Sequence, residues 1–174
     1  MDFFMENKML KGIYLHGYQG YVTEEKKAFL ERFGDIYAPN IDYDNNPAIL
    51  YKLYDNFKDE KIDFVAGTSL GGILIYHLAI LLDVPCLLLN PAVIALEQVR
   101  PFIPKEAFTI VPAKDIFVLV GMKDEVVNPK LQLDFFDKLN QESNNVTIKI
   151  DENLEHFIPF QKFVDVFNDF RNII

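Results

Sequence analysis

Phe64-Val65-Ala66-Gly67-Thr68-Ser69-Leu70-Gly71-Gly72 is the stretch on which the reading of this chain turns. Ile62 to Ala66 is a short apolar run that predicts a buried strand stopping at Gly67. Leu70 to Leu82 is a second apolar run, long enough for a helix. Between them, Gly67-Thr68-Ser69-Leu70-Gly71 matches the G-x-S-x-G nucleophile elbow. In that motif a sharp strand-to-helix turn lifts a serine hydroxyl clear of the sheet. Flanking glycines remove Cβ atoms that would collide in so tight a turn. The helix that starts there aims free N–H groups and its positive dipole end at whatever sits over the serine. The same letters also fit an ordinary glycine-rich turn, so the motif needs partners elsewhere in the chain.

Bulk properties narrow the field. A chain of 174 residues suits a single domain, residues 1–174, with a real core. Half the residues are hydrophobic and 16 are Phe, which argues against disorder. The net charge of −9 argues against nucleic acid or an anionic membrane as partner, since both need clustered Lys and Arg. The single cysteine, Cys86, excludes an internal disulfide and fits a reducing compartment. Met1 to Lys8 carries acids where a signal peptide has a basic region, and Leu70 to Leu82 is shorter than the roughly 20 residues of a membrane span. A soluble, cytoplasmic protein is expected.

Outward from the motif, strands and helices alternate. Met9 to Leu15 predicts a strand ending at His16-Gly17. Thr23 is placed to cap a helix with Glu24 and Glu25 in its first turn and Gly34 as its stop. Asp35 to Ala38 is a short strand. Asn46-Pro47 should open a second helix, with Asn46 as cap. Past the elbow, Pro85 to Leu89 and Ile116 to Val120 are strands, and Asn128-Pro129 opens a helix. Val146 to Ile150 is the last strand, and Pro159 opens a final helix with Phe160, Phe163, Val164, Phe167 and Phe170 on one face. Six strand–helix alternations with continuous apolar strands imply a mostly parallel six-stranded sheet covered on both sides, a three-layer α/β sandwich.

A serine at an elbow needs a base, and the chain offers three histidines. His77 lies eight positions past Ser69, roughly 12 Å along the helix, out of reach of the hydroxyl. His16 follows the first strand, where the neighbouring Gly17 suggests a backbone role for the loop. His156 follows the last strand and would emerge at the same sheet edge as Ser69; it is the expected base. Asp124, leaving the preceding strand at that edge, is the expected acid, with Glu125 as runner-up. The order Ser69, Asp124, His156 is that of the elbow-bearing architecture. An attacked carbonyl would need two donors, the N–H of Leu70 and that of Tyr18. His16 and Gly17 should border the substrate.

These residues resemble the α/β-hydrolase superfamily, and within it the small YqiA/YcfP-like esterase branch. The resemblance rests on Leu15-His16-Gly17, Ser69 to Gly72, Asn90-Pro91-Ala92-Val93, Asp124-Glu125-Val126 and His156-Phe157. It implies an α/β-hydrolase fold and a serine esterase or thioesterase acting on a small-molecule acyl ester or thioester, with no metal and no organic cofactor. Ala92 to Lys114 would form a small cover, with Phe102 and Phe108 as pocket walls, and the short chain leaves room only for a minimal lid. Short acyl groups are the expected substrates. The rival reading is a hydrolase-like fold that binds but does not catalyse.

Overall fold

The computed structural model describes residues 8–174, so the reading of Met1 to Asn7 falls outside the described residues. Six strands alternate with helices: β1 Leu10–Leu15, α1 Glu24–Glu31, β2 Gly34–Tyr37, α2 Ile49–Phe57, β3 Phe64–Thr68, α3 Leu70–Leu82, β4 Cys86–Leu89, α4 Leu96–Val99, β5 Ile116–Gly121, α5 Pro129–Ser143, β6 Val146–Asp151 and α6 Phe160–Arg171. The sheet order is β2-β1-β3-β4-β5-β6, and every pairing is parallel. Among the described residues no helix is long and apolar enough to cross a membrane.

Alternation along each strand divides the core in two. Ile13, Val65, Leu88 and Val118 face α2, α3 and α5, whereas Tyr14, Phe64, Leu87 and Phe117 face α1 and α6. The phenylalanine face of α6 behaves as its spacing predicts: Phe163, Phe167 and Phe170 are wholly buried. α3 is buried along nearly its whole length, which is why its sequence is apolar all round.

Several boundaries differ from expectation for identifiable reasons. β3 does not stop at Gly67; Gly67 and Thr68 pair with Leu88 and Leu89, and the ladder carries the strand to the serine. Ile62 precedes the strand, and Asp63 is tied through its carboxylate to the Lys11 N–H at 2.9 Å. Gly34 does not stop α1, which ends at Glu31 with Arg32 as its C-cap. It opens β2 at φ 150°, where a Cβ would stand 1.9 Å from the Leu10 carbonyl oxygen. Asn46 does not cap α2, because its amide donates to the Asp42 carbonyl at 2.8 Å and the helix starts at Ile49. Thr23 and Asn128 do cap: their side-chain oxygens accept from the N–H groups of Lys26 and Lys130.

Candidate active site

The strand order reverses at β1, because β2 lies on one side of it and β3 on the other. Ligand sites in open parallel sheets form outside the carboxyl ends of the strands at such a point. Ser69 stands there, between the end of β3 and the start of α3, with φ 53° and ψ −117°. That conformation is costly for a residue with a Cβ and persists only where the surroundings enforce it. Here the surroundings are backbone. A Cβ on Gly67 would come 2.5 Å from the Gly71 carbonyl oxygen, and one on Gly71 would come 2.4 Å from the carbonyl oxygens of Leu15 and His16. Glycine at both positions lets β3, α3 and β1 close on one another and lifts the serine out.

Residues far apart in sequence meet over that turn. His156 Nε2 lies 3.0 Å from Ser69 Oγ, and His156 Nδ1 lies 2.8 Å from Asp124 Oδ2. The Asp124 side chain is fully buried, whereas that of His156 is 25% exposed, which leaves one open side to the imidazole. Asp124 Oδ1 accepts from the N–H groups of Val126 and Val127 at 2.9 and 2.8 Å. Two such donors fix the carboxylate plane and leave Oδ2 for the histidine. With the carboxylate accepting at Nδ1, the Nδ1–H tautomer leaves Nε2 free to accept from the serine hydroxyl. Glu125, the alternative acid, is exposed.

The loop after β1 passes close to the serine. A Cβ on Gly17 would stand 3.2 Å from Ser69 Cβ and 3.8 Å from its Oγ. Among the described residues, neither the Leu70 nor the Tyr18 backbone N–H donates to another protein group. The Tyr18 side chain turns away, its hydroxyl donating to the carboxylate of Asp44 at 3.0 Å.

Three expectations are corrected. His16 does not border a substrate: it is 2% exposed, its Nε2 accepts from the Ile41 N–H at 2.7 Å, and its Nδ1 donates to the Gly17 carbonyl at 2.7 Å. Burial pushes its pKa below the ordinary histidine value, which keeps the ring neutral as a strut between two loops. Phe108 is no pocket wall beside Ser69. Its ring lies 5.0 Å from that of His77, two turns along α3, and Arg100 covers it at 4.6 Å. Phe102 belongs to a short turn packed against α2. Within the segment from Ala92 to Lys114, Ile103 and Ala107 are buried in the same core cluster as α3.

An open cleft borders the imidazole. It has a volume of ≈ 690 Å³ and is lined by Met122, Asp124, Glu125, Val126, His156 and Phe157, among others. A larger groove of ≈ 810 Å³, lined by Phe29, Arg32, Phe33 and Arg171, includes Leu10 at the amino end of β1, the opposite edge of the sheet from Ser69.

Two buried polar residues escaped the sequence reading. Gln132 on α5 is fully buried, donates to the Val127 carbonyl at 3.0 Å, and brings its Nε2 to 3.5 Å from Asp124 Oδ2. Its spacing from Asp124 gave no hint, because the intervening turn sets the contact. Asn90, also fully buried, stands out in the sequence only as part of the Asn90-Pro91-Ala92-Val93 motif.

Comparison with known proteins bears on the family and the fold. Residues 11–119 match the model of an uncharacterised protein family, UPF0227. The chain belongs to that family. No curated protein matches the UPF0227 chain by sequence. Solved structures do match its fold, an α/β-hydrolase fold. Est1E from Butyrivibrio proteoclasticus superposes with a TM-score of 0.70 at 15% identity, covering 96% of this chain and 88% of the other. Acyl-protein thioesterase 2 from Zea mays gives 0.66 at 14% identity, covering 94% and 93%. Mouse α/β-hydrolase domain-containing protein 10 gives 0.69 at 16% identity, covering 94% and 89%. At such identities this UPF0227 member shares their fold.

Proposed function

We propose that this protein is a serine hydrolase that cleaves small acyl esters or thioesters through an acyl-enzyme on Ser69. The observation that carries the reading is the unbroken chain Ser69 Oγ–His156–Asp124, at 3.0 and 2.8 Å, ending on a serine held at positive φ. Ser69 Oγ attacks the acyl carbonyl as His156 Nε2 takes its proton. Asp124 keeps the ring oriented and stabilises the imidazolium. The Leu70 and Tyr18 N–H groups hold the oxyanion, aided by the positive end of α3. His156 then gives its proton to the departing alcohol or thiol, and water activated by the same nitrogen releases the acid.

The proton path says where the leaving group sits. It departs toward the imidazole, the side on which the cleft of Met122, Val126 and Phe157 lies. Val126 is 65% and Phe157 78% exposed, so an apolar alcohol or thiol portion would cover surface now facing water. The names of the structural neighbours, an acyl-protein thioesterase among them, lend support to ester and thioester chemistry as the class.

A fluorophosphonate probe tests the reading. The wild-type protein should label covalently, and Ser69→Ala should not label at all. A panel of p-nitrophenyl esters of rising acyl length, with an acyl thioester beside them, should show turnover that Ser69→Ala abolishes. An unlabelled wild-type protein with no turnover on any member would overturn it.

A further inference from the structure

The bend after β4 contributes no reacting atom to this scheme, yet all three members of the triad are fastened to it. Ser69 donates its N–H to the Leu89 carbonyl at 3.0 Å, and its carbonyl accepts from the Ala92 N–H at 2.9 Å. Between those two residues stands Asn90, fully buried at φ 42°. Its Nδ2 donates to the carbonyls of Glu155 and His156 at 2.9 and 3.1 Å. Its Oδ1 accepts from the Gly121 N–H at 2.7 Å, and the Gly121 carbonyl accepts from the Asp124 N–H at 3.2 Å. One four-residue bend thus grips the backbone of the nucleophile, and one side chain in it grips the loops of the base and the acid.

We propose that Asn90 is a positioning residue for hydrolysis, registering His156 and Asp124 against Ser69. The proposal rests on the hydrolytic reading above. The chemistry singles out asparagine. A primary amide offers two N–H donors and an acceptor at once, whereas a carboxylate accepts only. Asparagine also tolerates positive φ better than other residues with a side chain, apart from glycine. The His156 loop leaves the far edge strand of the sheet, β6, and crosses β5 to reach Ser69 beyond β4. The Asn90 amide lies under that crossing. Without it the imidazole would still be attached to its loop but no longer held at one distance from the serine. Misplacement on the order of 1 Å can cost about 100-fold in rate.

Asn90→Gly and Asn90→Asp test this. Glycine accepts φ 42° without strain and removes the whole amide. Aspartate keeps an acceptor for Gly121 but turns an oxygen toward two carbonyls. Each variant should lose about 10–100-fold in kcat and in fluorophosphonate labelling rate, with KM unchanged, because only the orientation of the reacting groups is lost. Proton NMR should show the low-field resonance of the His156 Nδ1 proton in the wild type and its loss in both variants. A residue that merely satisfies buried polar groups would lower the melting temperature and leave kcat per folded molecule, and that resonance, unchanged. Such a result would overturn the proposal, as would variants that fail to fold. If the wild-type protein neither labels nor turns over an ester, the hydrolytic reading itself fails; if wild type and variants react alike, only the role of Asn90 does.

Discussion

Ser69 bears the main backbone strain of the site, about 1–3 kcal/mol for a non-glycine residue at φ 53°, ψ −117°. The contacts that hold it there come from β1, α3 and the bend after β4. A Gly71→Ala change would place a Cβ 2.4 Å from two backbone oxygens, which no rotamer can relieve. It should cost about 3 kcal/mol or more, read as a lowered urea midpoint. Asp124→Asn separates position from charge. The amide oxygen can still accept from Val126 and Val127, but an NH2 group would face His156 Nδ1 and favour the wrong tautomer. The expected loss in kcat is about 10⁴-fold with little change in folding, checked by kinetics beside circular dichroism. At this scale the serine and the histidine were legible from motif and position. The choice between Asp124 and Glu125 was not fixed by sequence order alone, because adjacent residues in a turn point in different directions. The turn buries the first and exposes the second. His16 was misread because a histidine beside a glycine in a site loop looks the same whether its nitrogens face ligand or backbone.

Among the elements, α3 carries a buried histidine that couples stability to acidic pH. His77 is packed between Tyr76 and Phe108, donates Nδ1–H to the Ile73 carbonyl at 2.7 Å, and has its pKa lowered to about 4, first by burial. A lowered pKa means that the folded protein prefers the neutral ring. The contribution is complete above the unfolded value near 6.5 and is lost as pH falls toward 4. Between pH 7 and pH 5 the loss from this group is about 2 kcal/mol. Urea titrations at the two pH values should show wild-type stability falling, and His77→Gln should fall by less. Sequence periodicity found α3 and its burial. It did not find what covers its outer face, since the short turns between Ala92 and Lys114 lack a repeat. One of those turns packs Phe108 onto His77.

Across the whole molecule, the two faces of the sheet divide the labour. The α1–α6 face is a cluster of aromatic rings, with Phe167 wholly buried against Phe29, Phe64 and Phe163. The serine instead starts α3, on the other face. Phe167→Ala should therefore cost about 3–5 kcal/mol in stability while leaving kcat per folded molecule near wild type. Denaturation and kinetics on the same preparation would check both halves. We propose that residues 1–174 fold as one domain. Tyrosine fluorescence and far-ultraviolet circular dichroism should then report coincident urea transitions; two separated transitions would refute it.

The sequence alone determined that strands and helices alternate, that the central strands are buried on both faces, and that a serine sits at a glycine-flanked turn with a histidine and an acid following in order. These are local matters: apolar runs, caps, and backbone freedom at glycine. The tertiary structure alone decided the strand order, and with it the meeting of Ser69, His156 and Asp124. It also decided which acid turns inward and which polar side chains, Asn90 and Gln132, become buried struts. Contacts across tens of residues depend on how the sheet is wound and how each turn aims its side chains, and neither quantity is written in the spacing of residues along the chain.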